Sequence, residues 1–384
     1  MRKRSSRRNI KSLPYSYILF AKRYFITSTI LLIVNWHLFR NSMYSLWNVN
    51  GQSKHQFNDF IFKESQAYFQ NLHAVGNNIR PKKDVKASFV ILSKNRREPY
   101  LKALLWSLVQ FNDLSTINVT VINTDYVPSA NKLWHELRQS EFNNFEYLTV
   151  PPSRNEWKRR LVEHHLLAMS YCFQYNISWC LIFEEDAVLT RNFVHKFHII
   201  SNQVKSISKL GMLKLFVSDH YAGFSTSWTH FFEIIFVFLL SYILAHLARK
   251  KSSHRTSYKL STALTISLFF LIYLNLRLMG RQSLLNWFNG SKLHVKEIFD
   301  TPGTVAIAYP KMQLKPLIGY IENALKQPKL LDIDLLLNRW IKESKYESYR
   351  SYPSLAQHVG AYSSNSAKNQ GNFQSMNQDS SFAF

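Results

Sequence analysis

Residues 179–186 read WCLIFEED, and the fold turns on this stretch. Trp179 to Phe183 is apolar without a break, and Glu184, Glu185 and Asp186 are three carboxylates in a row. An uninterrupted apolar strand has no solvent face, so it belongs in a sheet covered on both sides, as in parallel α/β folds. Polar residues that end such a strand stand at the carboxyl edge of the sheet, where open α/β sheets bind ligands. Upstream, Ala87 to Leu92 (ASFVIL) is a similar run and ends in Ser93-Lys94-Asn95-Arg96-Arg97. Ile117 to Ile122 (INVTVI) reads as a further strand and ends in Asn123-Thr124-Asp125. Tyr100 to Val109 and Asn155 to Phe173 have helical spacing between them. Strand, helix, strand, helix, strand is the alternation of a doubly wound α/β sheet. Ser93, Asn95 and Asp125, at the ends of the first two strands, are candidates for nucleotide contacts.

Working outward, residues 40–86 are polar and aromatic, helical around Phe60 to Leu72, and read as a stem. Later in the chain Gly303 to Tyr309 is predicted as a strand, and Lys315 to Leu325 and Ile333 to Ile341 as helices. Residues 365–384, rich in Ser, Asn and Gln, are expected to be disordered.

The chain has 384 residues, with 48 Lys and Arg against 24 Asp and Glu, a formal charge of +24. Such a charge suggests nucleic acid or an anionic membrane as partner, and its placement decides between them. Residues 1–23 hold eight basic and no acidic residues, and residues 249–259 hold five and none. Both segments abut apolar runs, which is a membrane pattern rather than a nucleic-acid face. The mean hydropathy of −0.19 excludes a transporter built mainly of spans. Two cysteines exclude a disulfide scaffold and every four-cysteine zinc module. Whether Cys172 and Cys180 pair is left open by the sequence.

The apolar runs are Tyr24 to Phe39, Phe231 to Ala248 and Leu260 to Leu276. The first is bounded by Lys22, Arg23 and Arg40 and is followed by no small-residue cleavage site, so it reads as an uncleaved signal anchor (residues 24–39). The other two, split only by the basic linker 249–259, read as a membrane hairpin (residues 231–276) rather than a pair of core helices. The positive-inside rule then places residues 1–23 and 249–259 together in the cytosol. Residues 87–230 and 277–364 share the opposite compartment, an ER or Golgi lumen, and fold together as one domain interrupted by the hairpin. Three N-glycosylation triplets begin at Asn118, Asn176 and Asn289. Asn118 lies in a predicted strand, and Asn289 is the best acceptor of the three.

The chemistry centres on the acidic triplet. Three adjacent carboxylates repel one another unless a cation or water screens them. A hard divalent cation takes oxygen ligands and leaves positions open for phosphate oxygens. His358, in LAQHVG after the Pro353 turn, either completes such a site or is a structural histidine. Asp332-Ile-Asp334 opens an apolar helix, where an aspartate serves as an N-cap or as a general base for an acceptor hydroxyl.

The order of strand, Glu-Glu-Asp, membrane hairpin, Asp-containing helix and His-x-Gly resembles one family. That family is the post-GPI-attachment N-acetylgalactosamine transferases of the Golgi, with a GT-A glycosyltransferase fold interrupted by a transmembrane hairpin. The similar stretches are FEEDA (183–187), LKLF (213–216) and PSLAQHVGAYSS (353–364), within a resemblance over roughly residues 15–364. The family's acidic motif is Glu-Asp-Asp, so Glu185 departs from it but keeps the charge. The resemblance implies a GT-A-like α/β domain with a doubly wound mixed sheet, an N-terminal anchor and the inserted hairpin, three spans in all. It implies UDP-GalNAc as donor and the first mannose of the GPI core, on GPI-anchored proteins, as acceptor, at a multi-pass Golgi membrane. A divalent cation, Mn²⁺ by expectation, would sit on Asp186 with Glu185 and His358. Glu184 would assist, and Asp334, with Asp332 in reserve, would be the base of an inverting transfer. Two alternatives stand beside it: a luminal N-acetylglucosaminyl transferase acting on N-glycans, and a non-catalytic membrane adaptor that kept the fold. A nucleic-acid protein is excluded by where the charge lies.

Overall fold

A computed structural model describes residues 52–75, 85–96, 99–125, 131–139, 145–150, 156–217, 228–251, 265–267, 269–270, 272–273, 293–299 and 301–360. The predicted signal anchor, the basic amino-terminal segment, most of the 249–259 linker, the Asn289 triplet and the 365–384 tail lie outside them. The chain divides into two compact units, residues 1–51 with 226–284, and residues 52–225 with 285–384.

The second unit begins with α1 (Gln52–Val75), β1 (Ala87–Ser93), α2 (Tyr100–Gln110), β2 (Ile117–Asn123), α3 (Lys132–Gln139) and β3 (Glu146–Thr149). It continues with α4 (Trp157–Gln174), β4 (Trp179–Glu184), β5 (Ala187–Leu189), α5 (Phe193–Val204) and β6 (Leu210–Lys214). After the helix α6 (Trp228–Lys251) of the first unit, the second resumes with β7 (His294–Ile298), β8 (Ala306–Pro310), α7 (Lys311–Leu325), α8 (Ile333–Glu343), β9 (Glu347–Tyr352) and β10 (Ala356–His358).

Eight strands form one sheet in the order β3-β2-β1-β4-β8-β6-β9-β7, and β5 and β10 form a second, two-stranded one. The first four strands are parallel; β8 runs against β4 and β6, β9 runs with β6, and β7 runs against β9. The sheet is therefore mixed, with β8 from the later stretch of chain seated between β4 and β6 from the earlier one. Neither stretch can complete the sheet alone.

The continuous apolar strands are explained by two cores. Phe89, Ile91, Leu181, Phe183, Ala306 and Ala308 face one core with α1, α2, α3 and α5. Val90, Leu92, Cys180, Ile182, Ile307 and Tyr309 face the other with α4, α7 and α8. Successive side chains alternate between faces, so a strand buried on both reads as a near-continuous apolar run. Helix α1 overlaps the segment read as a stem. It packs into the first core through Ile61 and sets Phe62 against Tyr100 at a ring distance of 5.4 Å.

Cys172, at the end of α4, and Cys180, in β4, form a disulfide with Cα atoms 5.7 Å apart. The Asn176 triplet, with Asn176 and Ser178 exposed and Ile177 buried, lies inside that loop. The Asn118 triplet is instead locked in the sheet, where Asn118 Nδ2 and Thr120 Oγ1 both donate to Glu146 Oε2, at 3.4 and 3.2 Å.

In the first unit, α6 contains the predicted run Phe231 to Ala248. Its Phe236 is 66 % exposed, and Tyr242 and Leu247 are each 56 % exposed. Phe238 meets Phe269 at a ring distance of 5.8 Å. Among the described residues no helix is long and apolar enough to cross a membrane.

Candidate active site at the carboxyl edge of the sheet

β1 and β4 run side by side with Leu92 opposite Glu184, so the loop after β1 and the acidic turn after β4 leave the sheet together. The three carboxylates then go different ways. Glu184 is the last strand residue, and its charge still acts on Asp186, His358 and Arg96. Its Oε1 accepts a hydrogen bond from Thr304 Oγ1, at 2.5 Å. Glu185 and Asp186 form the turn into β5 and are both buried. Arg96, from the loop after β1, reaches across to both. Its Nε donates to Glu185 Oε1 at 2.5 Å, and its Nη2 lies 3.2 Å from Asp186 Oδ2.

His358 arrives through the small sheet. β10 pairs with β5 so that His358 stands opposite Ala187, and the Val359 amide donates to the Asp186 carbonyl at 2.9 Å. That register sets His358 Nε2 3.1 Å from Asp186 Oδ2. Asn58 of α1 secures the far side, donating through Nδ2 to the Val359 carbonyl at 2.9 Å. Gly360 closes the cluster. A Cβ there would collide with Asp186 Oδ2 and stand 2.7 Å from His358 Nε2, so only glycine allows the backbone this close. Asp186 Oδ1 is buried with no hydrogen-bond partner.

These contacts set the protonation states. Burial alone would raise the Asp186 carboxyl, but His358 and Arg96 outweigh it and hold it near about 2. Burial pulls His358 down, and Asp186 more than restores it, so the imidazole is pushed above its ordinary value. Burial raises Glu185 to about 7 against the pull of Arg96, with Asp186 adding to the rise. Glu184 is raised by burial and by Asp186. Burial opposes the charge of Arg96, yet Glu185 and Asp186 keep it firmly cationic. Asp186 is thus the member of the triplet held most firmly anionic, with His358 as its partner.

Beside the acidic turn lies a cavity of about 280 Å³, lined among others by Ser93, Asn95, Arg96, Tyr100, Asn131 and Glu185. Lys94, Lys102 and Lys132 also line it, so it is rich in cations. Ser93 is fully buried, and its Oγ accepts from Asn131 Nδ2 at 3.2 Å. Asp125 lies behind the wall, with Oδ2 accepting the Asn95 amide at 2.8 Å. Burial raises the Asp125 carboxyl, against that bond and the pull of Lys94.

On the other face, Asp334 lies in the first turn of α8, and its Oδ1 accepts the Leu335 amide at 2.8 Å. Its charge acts on His165 and on Lys214. Asp332 is the N-cap residue by position, but its side chain makes no cap bond and pairs with Lys158 at 3.0 Å. Lys214, at the end of β6, is fully buried, and burial pushes its amine down to about 8. It donates to the Thr301 and Gly303 carbonyls and so holds the loop that carries Thr304 to Glu184. Gly303 has φ of 103°, a backbone conformation open at little cost only to glycine.

The structure thus brings together Asp186, His358, Glu185, Ser93 and Asn95, with Asp125 behind Asn95. Glu184 points to Thr304, and Asp334 and Asp332 sit on the α8 side. The sequence does not single out Arg96, Asn131 or Lys214 as site residues, and Gly360 enters it only as the glycine of His-x-Gly. Arg96 carries a local signal, a base in SKNRR at the end of a strand bound for an acidic edge.

Among the described residues no three His, Cys, Asp or Glu side chains converge as a metal-holding group. The residues present do supply a two-residue seat, His358 and Asp186, with one buried carboxylate oxygen unpartnered. That donor set fits a hard cation that takes its other ligands from phosphate and water.

Comparison with known proteins gives three findings. The family model described as GPI-N-acetylgalactosamine transferase PGAP4 matches residues 88–357. No curated protein matches the chain. Among solved structures, the crystal structure of TarS from S. aureus aligns at 14% identity and a TM-score of 0.25, over 34% of this chain and 21% of that one.

Proposed function

The chain belongs to the family of GPI-N-acetylgalactosamine transferase PGAP4, and from that premise we propose that its carboxyl-edge site moves N-acetylgalactosamine from UDP-GalNAc to the mannose core of a GPI glycan. The observation that carries the reading is the Asp186–His358 pair, closed by Gly360 and set beside a cation-rich cavity, all at the edge where β1 and β4 end.

In this reading the nucleotide end of the donor lies in the cavity beside Ser93 and Asn95. Asp125 fixes the Asn95 backbone. Lys94 and Lys102 face the diphosphate, whose negative charge suits them. Asp186 and His358 would hold a divalent cation, Mn²⁺ by expectation, with Glu185 near. Such a cation, when bound, neutralises charge on the departing diphosphate. Asp334 accepts the proton of the acceptor hydroxyl as its oxygen bonds to the anomeric carbon. The bond from that carbon to UDP breaks, its electron pair leaves with UDP, and the configuration inverts.

The acceptor is lipid-anchored, so the catalytic unit gains from being held at a membrane. The exposed Phe236, Tyr242 and Leu247 of α6 support seating the first unit in the bilayer as a hairpin. With the anchor at residues 24–39 this gives three spans, a cytosolic amino terminus and a luminal catalytic unit in the Golgi. The disulfide between Cys172 and Cys180 supports an oxidising lumen.

The test is donor selection. Membranes containing the chain should transfer sugar to a GPI-anchored reporter from UDP-GalNAc and not from UDP-GlcNAc. Transfer of N-acetylglucosamine to N-glycans would favour the alternative enzyme. Failure to bind any UDP-sugar would favour the adaptor.

A further inference from the structure

Glu185 and Asp186 are adjacent carboxylates, with side chains 5% and 2% exposed; of the two His358 compensates Asp186 alone, and Arg96 is the cation that spans both. Arg96 forks across them, Nε to Glu185 and Nη2 to Asp186, and is itself 12% exposed. A planar guanidinium suits this bidentate task. Its far side rests over the Tyr100 ring, 5.8 Å from the centroid. The oxygen of Asp186 that Arg96 approaches is the one His358 also holds, while Oδ1 has no hydrogen-bond partner. Arg96 therefore shares the carboxylate that a cation entering at Oδ1 would occupy. A divalent ion on that carboxylate would lie within a few ångströms of the guanidinium, in a buried setting where like charges repel strongly.

We propose that Arg96 is the resident counter-cation of the acidic turn, and that a divalent cation binds by displacing it from Asp186. The inference rests on the proposed metal-assisted transfer. Arg96 has a place to go, because it already lines the cavity with Lys94, Lys102 and Tyr100. Released from Asp186, it adds a fork of donors to the wall that faces the diphosphate. Metal entry and donor binding are then coupled: the ion that occupies Asp186 also frees the arginine that grips the donor. In the metal-free protein the same arginine keeps two buried carboxylates from repelling each other. This makes Arg96 a positioning residue with two stations rather than a fixed strut.

The test is a Mn²⁺ titration of the full-length chain in detergent, read by electron paramagnetic resonance, beside thermal melts with and without Mn²⁺. The variants are Arg96→Gln, Arg96→Lys and Asp186→Asn. Removing a competitor must tighten the ion, so R96Q should bind Mn²⁺ about ten-fold more tightly than wild type, R96K should fall between them, and D186N should lose the site. R96Q should melt lower than wild type without Mn²⁺ and regain most of the difference with it. Equal or weaker Mn²⁺ binding by R96Q overturns the displacement. If R96Q does not fold even with Mn²⁺, R96K decides by the same criterion. Neither donor nor acceptor takes part, so the titration reads the displacement even in a chain that transfers another sugar. If wild type, R96Q and R96K all leave Mn²⁺ free, the proposal fails, whatever the transfer assay shows.

Discussion

At the scale of single residues, the site depends on how closely a backbone can approach a carboxylate. Gly360 touches both Asp186 and His358 where a Cβ would not fit. Gly360→Ala should therefore displace the pair and cut transfer by at least about ten-fold, since misplacement by an ångström is costly, and lower the melting temperature too, since overpacking a buried site costs about 1–3 kcal/mol. A variant with wild-type turnover would show that the contact is not needed. The two aspartates of α8 separate in the same assay. Asp334→Asn should lower kcat by roughly 10²–10⁴, the usual worth of a general base. Asp332→Asn removes only a half-exposed pair with Lys158, worth about 0–1 kcal/mol, and should leave kcat alone. At this scale the sequence was half legible. Asp186 and His358 could be named as candidates because the triplet ends a buried strand at the carboxyl edge of the sheet and the family resemblance covers the LAQHVG stretch. Arg96, Lys214 and Asn131 could not, because each acts through a partner far away in sequence: Glu185, Thr301 and Ser93.

At the scale of elements, α4 joins the acid-sensitive and redox-sensitive parts of the second core. Burial pushes His165 down to about 4, although its Nδ1 bond to the Leu161 carbonyl and the charge of Asp334 work the other way. A histidine kept neutral in the fold and free to charge when unfolded contributes stability above its unfolded pKa, near 6.5. That stability is lost as pH falls toward 4. Between pH 6.5 and pH 4 the loss is on the order of 3 kcal/mol from this group, and denaturant melts of His165→Gln should show a shallower acid decline. An identical decline would remove His165 as its cause. The disulfide at the end of α4 closes a short loop, so Cys172→Ser should cost roughly 2–3 kcal/mol. Strands β1, β2 and β4 were readable because burial on both faces leaves them mostly apolar, with small or hydrogen-bonded polar residues in β1 and β2. β3 and β7 were not, since they lie at the sheet edges and are only partly buried. β9 is polar in sequence, ESYRSY, and β5 and β10 are three residues each, too short for any period to register. Helix α7 begins at Lys311, before the predicted Lys315, with Pro310 at the N-cap position and Pro316 inside it.

At the scale of the whole molecule, a separate unit interrupts the catalytic one, and the sheet needs chain from both sides of the interruption. Replacing residues 226–284 with a flexible linker should leave the sheet able to assemble and donor hydrolysis intact. Transfer to a GPI reporter in membranes should fall, because orientation and effective concentration at the bilayer are lost. Equal transfer would contradict a membrane role for the inserted unit. The interruption was legible because apolar length and basic flanks are local signals, whereas the joining of β4, β8 and β6 is a pairing that no local pattern carries. The most direct measurement is transfer of radiolabelled N-acetylgalactosamine from UDP-GalNAc to a GPI-anchored reporter by membranes carrying the wild-type chain or Asp186→Ala. We expect transfer by the wild type and none by the variant at equal expression; transfer that survives in Asp186→Ala would contradict an active site built on the Asp186–His358 pair.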